Sequence, residues 1–221
     1  INSLDENIHR LKDHNINHLI LQEFNKDFSR ISSLEYIRDV LINKLGMTNM
    51  VIGFNHHFGR NREGSINDLS EYADLYNFDI HKVDANIIQK KSISSTKIRD
   101  AIHKGDIELV NEYLGYNFSF TGEVIKGKGR GHMIGFPTAN LIVRMPHKII
   151  PLEGVYAVKV LYKNNTYQGM MNIGNNPTFN LKKSSIEVNI FDFGLNIYNQ
   201  IIEVQVLKRI RNEKKFQSID E

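Results

Sequence analysis

The sequence predicts an α/β domain followed by an all-β barrel, and three observations carry that reading. Helical and strand-like patterns alternate up to about residue 116, whereas six short β-branched or aromatic runs follow with no helical pattern between them. All four prolines (Pro137, Pro146, Pro151, Pro177) and nine of the fifteen glycines lie after residue 120. Charge divides at the same place: 14 Lys and Arg face 17 Asp and Glu over residues 1–120, and 14 face 8 over 121–221, so net −3 gives way to net +6. Two composition regimes predict two domains, 1–116 and 117–221, with a seam near Gly115–Phe118.

In the first regime, residues 4–13 read as a helix, with Ser3 as its cap and Asp5 and Glu6 in the first turn. His18–Leu21 is an apolar run of strand length. Ser32 and Glu35 have capping-box spacing, and Leu34, Ile37, Leu41 and Leu45 recur on one helical face. Met50–Gly53 reads as a second buried strand, 66–76 as a helix and Phe78–Val83 as an alternating third strand. Ser94 opens a helix through Ile102, and Asp106 caps another that ends at Leu114–Gly115. Alternation of this kind implies a doubly wound parallel sheet covered on both faces. The pattern begins on a helix, whereas such folds open on a strand, so a preceding strand outside these residues is expected.

In the second regime the strand-like runs are 118–125, 138–144, 154–162, 167–175, 185–193 and 202–209. Gly, Pro or Asn turns separate them, which predicts a small six-stranded antiparallel barrel. Lys163–Thr166 reads as a hairpin turn, with Asn164 and Asn165 suited to positive φ. A last helix is expected to begin near Asn212 and to be incomplete at Glu221.

Composition narrows the function classes. Hydrophobic residues at 41% and charged residues at 24% describe a globular chain with a core, not a disordered one. No run of about 18 apolar residues spans a membrane. Ile1 is followed by no charged-then-apolar leader, so no signal peptide is read. The absence of cysteine excludes disulfides, thiol catalysis and thiolate metal sites, and is compatible with a cytoplasmic enzyme. A total of +3 is too small to argue for nucleic acid, and the local excess after residue 120 suits a small anionic ligand.

The densest motif is Gly122–Gly135, GEVIKGKGRGHMIG, with five glycines in fourteen residues. Gly127, Gly129 and Gly131 alternate with Lys128 and Arg130, which brings backbone N–H groups and cations to a phosphate. A plain flexible barrel loop has the same composition. The P-loop pattern fails at Gly129, where Ser or Thr is required, and GxGxxG fails at Ile134. Thr138 and Asn140 follow at i and i+2, so a strand sends both to one face, and their oxygens are suitable hard ligands for Mg²⁺. Taken alone, they are also ordinary polar residues after Pro137.

Glu187 interrupts the apolar run Ile186–Ile190 on the face opposite Ile186 and Val188. There it is either a general base for a hydroxyl or a solvated outer-face carboxylate. Ser94, Ser95 and Thr96 at a helix start, with Lys97 and Arg99 close by, offer either a phosphate site or a good cap with surface cations. His56 and His57 follow the Met50–Gly53 strand, where α/β ligand loops sit. Without Cys or H-E-x-x-H spacing they do not read as zinc ligands.

Together these segments resemble the prokaryotic bifunctional FAD synthetase family, whose members combine riboflavin kinase and FMN adenylyltransferase. The landmarks are GFNHHFGRNREG (53–64), ISSTKIRDAI (93–102), GKGRGHMIGFPTANL (127–141), EGVYAV (153–158), MNIGNNPTF (171–179) and IEVNIFDF (186–193), and the similarity runs along essentially the whole chain. The glycine loop running into GFPTAN, then NIGxxPTF and the IEV strand, is specific to the kinase module. ISSTxIR is shared with related nucleotidyltransferases.

The resemblance implies a C-terminal barrel that phosphorylates riboflavin to FMN with ATP and Mg²⁺. Gly127, Lys128, Gly129, Arg130 and Gly131 would wrap the ATP phosphates. Thr138 and Asn140 would hold Mg²⁺ and nucleotide, and Glu187 would be the base for the ribityl 5′-hydroxyl. Arg209 and Arg211 fall where the family closes over flavin. The N-terminal domain would be a Rossmann-like FMN adenylyltransferase producing FAD, with Ser95, Thr96 and Arg99 on nucleotide phosphate and Asn55 and Phe58 near flavin.

Two departures bear on this. No His-x-Gly-His occurs, so the family's first strand and its HxGH loop are absent from these residues, and the chain as it stands is not expected to adenylylate FMN. In GLNIYNQ (194–200), Asn199 replaces a family glycine. The rivals to an enzyme are a non-catalytic flavin or nucleotide sensor and an oligonucleotide-binding barrel. The first is opposed by the intact base and metal positions, the second by the glycine loop.

Overall fold

The computed structural model describes residues 1–53, 56–84, 87–88, 91–127, 137–145, 147–174 and 185–213, with backbone alone at 87–88 and 91–92. Helix α1 is Leu4–Asp13, and Ser3 and Glu6 close its N-terminus as a capping box. A second capping box, Ser32 and Glu35, opens α2 (Ser33–Glu35), which runs on as a π-helix over Tyr36–Lys44. Strand β1 (Asn49–Gly53), α3 (Ile66–Tyr76) and β2 (Asp79–Val83) follow, then the short strands β3 (Ile87–Ile88) and β4 (Lys91–Ser92). Helices α4 (Ser95–Lys104) and α5 (Ile107–Leu114) lead into β5 (Ser119–Ile125), β6 (Ala139–Ile142), β7 (Gly154–Tyr162), β8 (Asn165–Gly174), β9 (Ser185–Ile190) and β10 (Ile201–Arg211).

Contacts group these elements into two units, Ile16–Ser92 and Ile1–Asn15 with Ile93–Glu221. The packing seam therefore differs from the composition seam at 116/117. The reason is the apolar face of α4 and α5: Ile98, Ala101, Ile102, Ile107 and Val110 are buried in one cluster with the barrel strands.

In the unit 16–92, β1 and β2 pair in parallel from Asn49↔Asp79 to Gly53↔Val83. Ile37, Ile52, Leu69 and Phe78 form its buried core. The expected strand at His18–Leu21 is not formed. Residues 16–25 have no regular structure, and Leu19, Ile20 and Leu21 are exposed. Among the described residues β1 pairs with β2 alone, so this apolar run has no ladder to join, and composition without pairing does not make a strand.

In the other unit six antiparallel strands close into a barrel in the order β10-β5-β6-β9-β8-β7. Burial alternates along β5, β9 and the middle of β7, β8 and β10, as a filled small barrel requires. On β9, Ile186, Val188 and Ile190 point inward, whereas Glu187 and Asn189 stand on the outer face. Phe118, Phe120, Tyr156, Met171 and Val204 fill the interior completely buried. The hairpin between β7 and β8 turns at Lys163 (φ 47°) and Asn164 (φ 65°), one residue earlier than expected. Asn199 takes φ 60°, the left-handed conformation a glycine would adopt there, which Asn tolerates better than most residues. The helix expected from Asn212 lies outside the described residues beyond Glu213.

Helix α1 belongs to the barrel unit and is held by a buried ion pair. Lys148 Nζ lies 2.6 Å from Glu6 Oε2, with the lysine side chain 1% exposed, and 4.8 Å from the centre of the Phe118 ring. Burial pushes the Lys148 ammonium below the usual lysine range, and Glu6 partly restores it. Arg10 stacks on Tyr116 with its guanidinium 3.2 Å from the ring centre.

Candidate active site

On the outer face of the barrel, strand pairing collects the residues that carry chemistry. Asn140 on β6 is the register partner of Glu187 on β9, and Glu187 is in turn the partner of Asn172 on β8. Partners across an antiparallel ladder share a face, so two carboxamides flank the carboxylate. Thr138 completes the cluster: its Oγ1 lies 3.4 Å from Glu187 Oε2 and can donate to it. The approach to β6 is fixed from β9, where the Asn189 amide donates to the Pro137 carbonyl at 2.8 Å.

Gly127 closes the other side of Asn140. A Cβ at residue 127 would sit 2.1 Å from Asn140 Nδ2, so glycine leaves a cradle that any side chain would fill. Next to Thr138 lies a cleft lined by Pro137, Phe193, Leu195, Asn196 and Tyr198. Phe193 is held edge-on by Tyr167 at 4.9 Å and Tyr162 at 6.3 Å. Lys128, Gly129, Arg130 and Gly131 lie outside the described residues. Among the described residues no group of three or more His, Asp or Glu side chains is placed to hold a metal. The donor set at this site is instead a hydroxyl and a carboxamide, neutral hard oxygens of the kind Mg²⁺ accepts alongside phosphate.

The two arginines of β10 are placed differently from each other. Arg211 is in register with Val155, which pairs with Asn172, so it continues the Glu187 row around the barrel. Arg209 packs between two positive-φ glycines, Gly105 at the end of α4 and Gly154 at the start of β7, and donates to the Glu153 carbonyl. Its Nε is buried with no partner among the described residues. Tyr156, beside it, has its hydroxyl pushed above the ordinary tyrosine range by burial, with Arg209 opposing that shift.

At the head of α4, Ser94 caps the helix through a hydrogen bond from Lys97 N. Ser95, Thr96 and Arg99 are exposed, and buried Ile98 and Ile102 anchor the opposite face. In the unit 16–92, Phe58 is engaged in packing. It bridges to Gly64, where a Cβ would come within 2.7 Å of the ring, and lies 6.4 Å from Tyr36. Asn55 lies outside the described residues, and His56 and His57 are exposed.

Sequence reasoning named Thr138, Asn140 and Glu187 as separate candidates, which the barrel brings side by side, and it passed over Asn172. Its signal was present: it stands between Met171 and Ile173, both fully buried, so alternation already placed it on the outer face.

The riboflavin kinase family model matches residues 114–221, and the FAD synthetase model matches residues 1–97. A bifunctional riboflavin kinase/FMN adenylyltransferase of Buchnera aphidicola subsp. Schizaphis graminum is 37% identical over 99% of this chain and 70% of its own length. The protein of that description from Bacillus subtilis is 36% identical over 100% of this chain and 70% of its own. A crystal structure of a Streptococcus pneumoniae protein described as a macrolide-efflux protein superposes with a TM-score of 0.89 at 33% identity, over 99% of this chain and 70% of that one. Efflux is said of that protein; among the described residues here no helix is long and apolar enough to cross a membrane. Matched along nearly its full length and across both modules, the chain belongs to the bifunctional riboflavin kinase/FMN adenylyltransferase family.

Proposed function

We propose that the barrel phosphorylates riboflavin to FMN with ATP and Mg²⁺, in the cytoplasm, and that residues 1–116 belong to an FMN adenylyltransferase domain whose HxGH motif is not among these residues. The observation that carries the kinase reading is the Thr138–Asn140–Glu187 cluster beside the Gly127 cradle. Phosphoryl transfer needs positioning, neutralised charge and an oriented nucleophile more than covalent chemistry from the protein.

Thr138 and Asn140 would hold Mg²⁺, which when bound offsets the negative charge of the nucleotide phosphates. Gly127 lets the backbone approach those phosphates, and Lys128, Gly129, Arg130 and Gly131, next in sequence, would supply further N–H groups and positive charge to them. The apolar cleft with Phe193, Leu195 and Tyr198 accommodates the base of the nucleotide, and Asn196 supplies an amide at its edge. Glu187 accepts the proton of the ribityl 5′-hydroxyl. That oxygen forms its bond to the γ-phosphorus as the bond to the ADP oxygen breaks, and ADP leaves. Thr138 orients the Glu187 carboxylate by donating to it. Arg211, on the same row, faces flavin, with Arg209 behind it.

For the second activity, the exposed head of α4 offers free backbone N–H groups, the Ser95 and Thr96 hydroxyls and Arg99 to nucleotide phosphate. Asn55 and Phe58 mark the flavin side. The kinase domain is assigned to 117–221 by its chemistry, although α4 and α5 pack with it.

Incubation with riboflavin and Mg-ATP, followed by separation of the flavins, is expected to yield FMN and ADP in equal amounts, and removal of Mg²⁺ with EDTA is expected to stop it. Flavin binding without any FMN would overturn the kinase reading in favour of a sensor.

A further inference from the structure

We infer that Asn172 binds the acceptor in the kinase site, taking a hydroxyl of the ribityl chain next to the one that reacts and so holding the reacting oxygen at Glu187. This rests on the riboflavin kinase reading above and adds a residue that sets acceptor specificity.

The inference begins from the asymmetry of the row Asn140–Glu187–Asn172. These are consecutive register partners on β6, β9 and β8, with Cβ atoms of such pairs about 4.5–5.5 Å apart. The side toward Asn140 is crowded by Gly127 and Thr138. The side toward Asn172 is built differently. There the carboxamide has no hydrogen-bond partner among the described residues, and Gly174 two residues on carries no side chain where the Glu213 carboxylate comes over the strand. A Cβ at Gly174 would stand 2.3 Å from Glu213 Oε1 and 3.4 Å from Asn172 Nδ2. Amide and carboxylate therefore converge over a bare stretch of β8.

In-line transfer places donor and acceptor on opposite sides of the phosphorus. With phosphates on the Gly127–Thr138–Asn140 side, the alcohol reaches Glu187 from the β8 side. Asn172 is the first polar side chain of the row it meets. A carboxamide both donates and accepts, which matches a secondary hydroxyl and gives no advantage to a bare alkyl chain. Riboflavin carries such hydroxyls on the carbons preceding its terminal one.

The test pairs a residue change with a substrate change. Asn172→Ala is expected to lower kcat/KM for riboflavin about tenfold, the loss of one or two buried hydrogen bonds, with KM for Mg-ATP unchanged. A flavin with a 5-hydroxypentyl chain at N10 keeps the reacting alcohol and lacks the others. Wild type and Asn172→Ala are expected to use that analogue equally well, so the two losses do not add. Asn172→Ser, which retains a small hydrogen-bonding group, is expected to fall between them and serves also if the alanine variant folds poorly. Equal losses on both flavins, or a raised KM for Mg-ATP with riboflavin kinetics intact, would overturn the assignment. Absence of FMN from wild type would instead remove the kinase reading on which it stands.

Discussion

The barrel and the unit spanning residues 16–92 both contain β-structure over an apolar core, yet they constrain their polar residues to different degrees. In the barrel every strand has two neighbours and the ladder closes on itself. Closure fixes register, and register fixes which side chains face out, so Glu187 falls between Asn140 and Asn172 without any contact among the three having to arrange it. In 16–92, β1 and β2 pair with each other alone among the described residues, over a core of Ile37, Ile52, Leu69 and Phe78. Ile20 and Phe24 remain 61% and 79% exposed, and Val51 on β1 is 71% exposed. The position of Phe58 there follows from local packing on Tyr36 and Gly64 rather than from a ladder. A closed sheet thus delivers a site by counting residues, and an open pair does not.

The sharpest way to break this contrast is at Glu187. Glu187→Gln keeps size and register and removes the carboxylate proposed to accept the proton, so FMN formation should fall by about 10²–10⁴-fold while ATP affinity changes little. A fall below about threefold would mean that the row places the carboxylate without using it. Next in size are the two cores. Phe120→Ala removes a fully buried barrel ring and should cost about 3–5 kcal/mol, taking FMN formation with it on mild heating. Leu69→Ala, equally buried, should cost about 2–5 kcal/mol in the unit 16–92, with kinase turnover retained at the same temperature. Thermal denaturation followed in parallel with FMN formation separates the two outcomes.

The ion pair that holds α1 on the barrel comes third. Lys148→Met leaves Glu6 buried without its partner and should destabilise by about 3 kcal/mol, whereas Glu6→Leu combined with Lys148→Met should come near neutral. The pair also predicts a pH dependence. Lys148 gives up its proton more readily folded than unfolded, so between its lowered folded value and about 10.4 the unfolded chain binds more protons. Stability should rise with pH across that window, the cost of burying the charge being fully present below it. Urea titrations at a series of pH values should show this rise in wild type and not in Lys148→Met.

What was legible in the sequence follows the same division. Six strands and their inward faces could be read from alternation, because a barrel strand is buried on one side throughout. Thr138 and Asn140 at i and i+2 already shared a face, and Glu187 already stood opposite Ile186 and Val188. That Asn140 and Glu187 would be partners could not be read, because register is a property of pairing and not of either segment. Asn172 too stood on the outer face by alternation, but its place beside Glu187 could not be read for the same reason. His18–Leu21 failed in the opposite way: its composition is that of a strand, but a strand also needs a neighbour. Residues 36–44 had a sound helical period, and nothing in that period distinguishes an α-helix from the π-helix that forms.

The smallest effect lies where the barrel's register is set locally, at the turn between β7 and β8. Tyr162 and Asn165 pair directly across it, so Lys163 and Asn164 form a two-residue loop with φ positive at both positions. This is the arrangement whose twist matches that of the strands it joins, and glycine at its second position carries no Cβ to strain there. Asn164→Gly should therefore stabilise the barrel, but by no more than about 0.5–1 kcal/mol, because glycine also gains freedom in the unfolded chain. Kinase turnover should be unchanged, since Glu187 owes its place to the closed ladder and not to this one turn. A higher denaturation midpoint with unaltered kcat and KM supports that view. A change in either kinetic constant would mean that register around the barrel hangs on the β7–β8 hairpin, and that closure alone does not place the site.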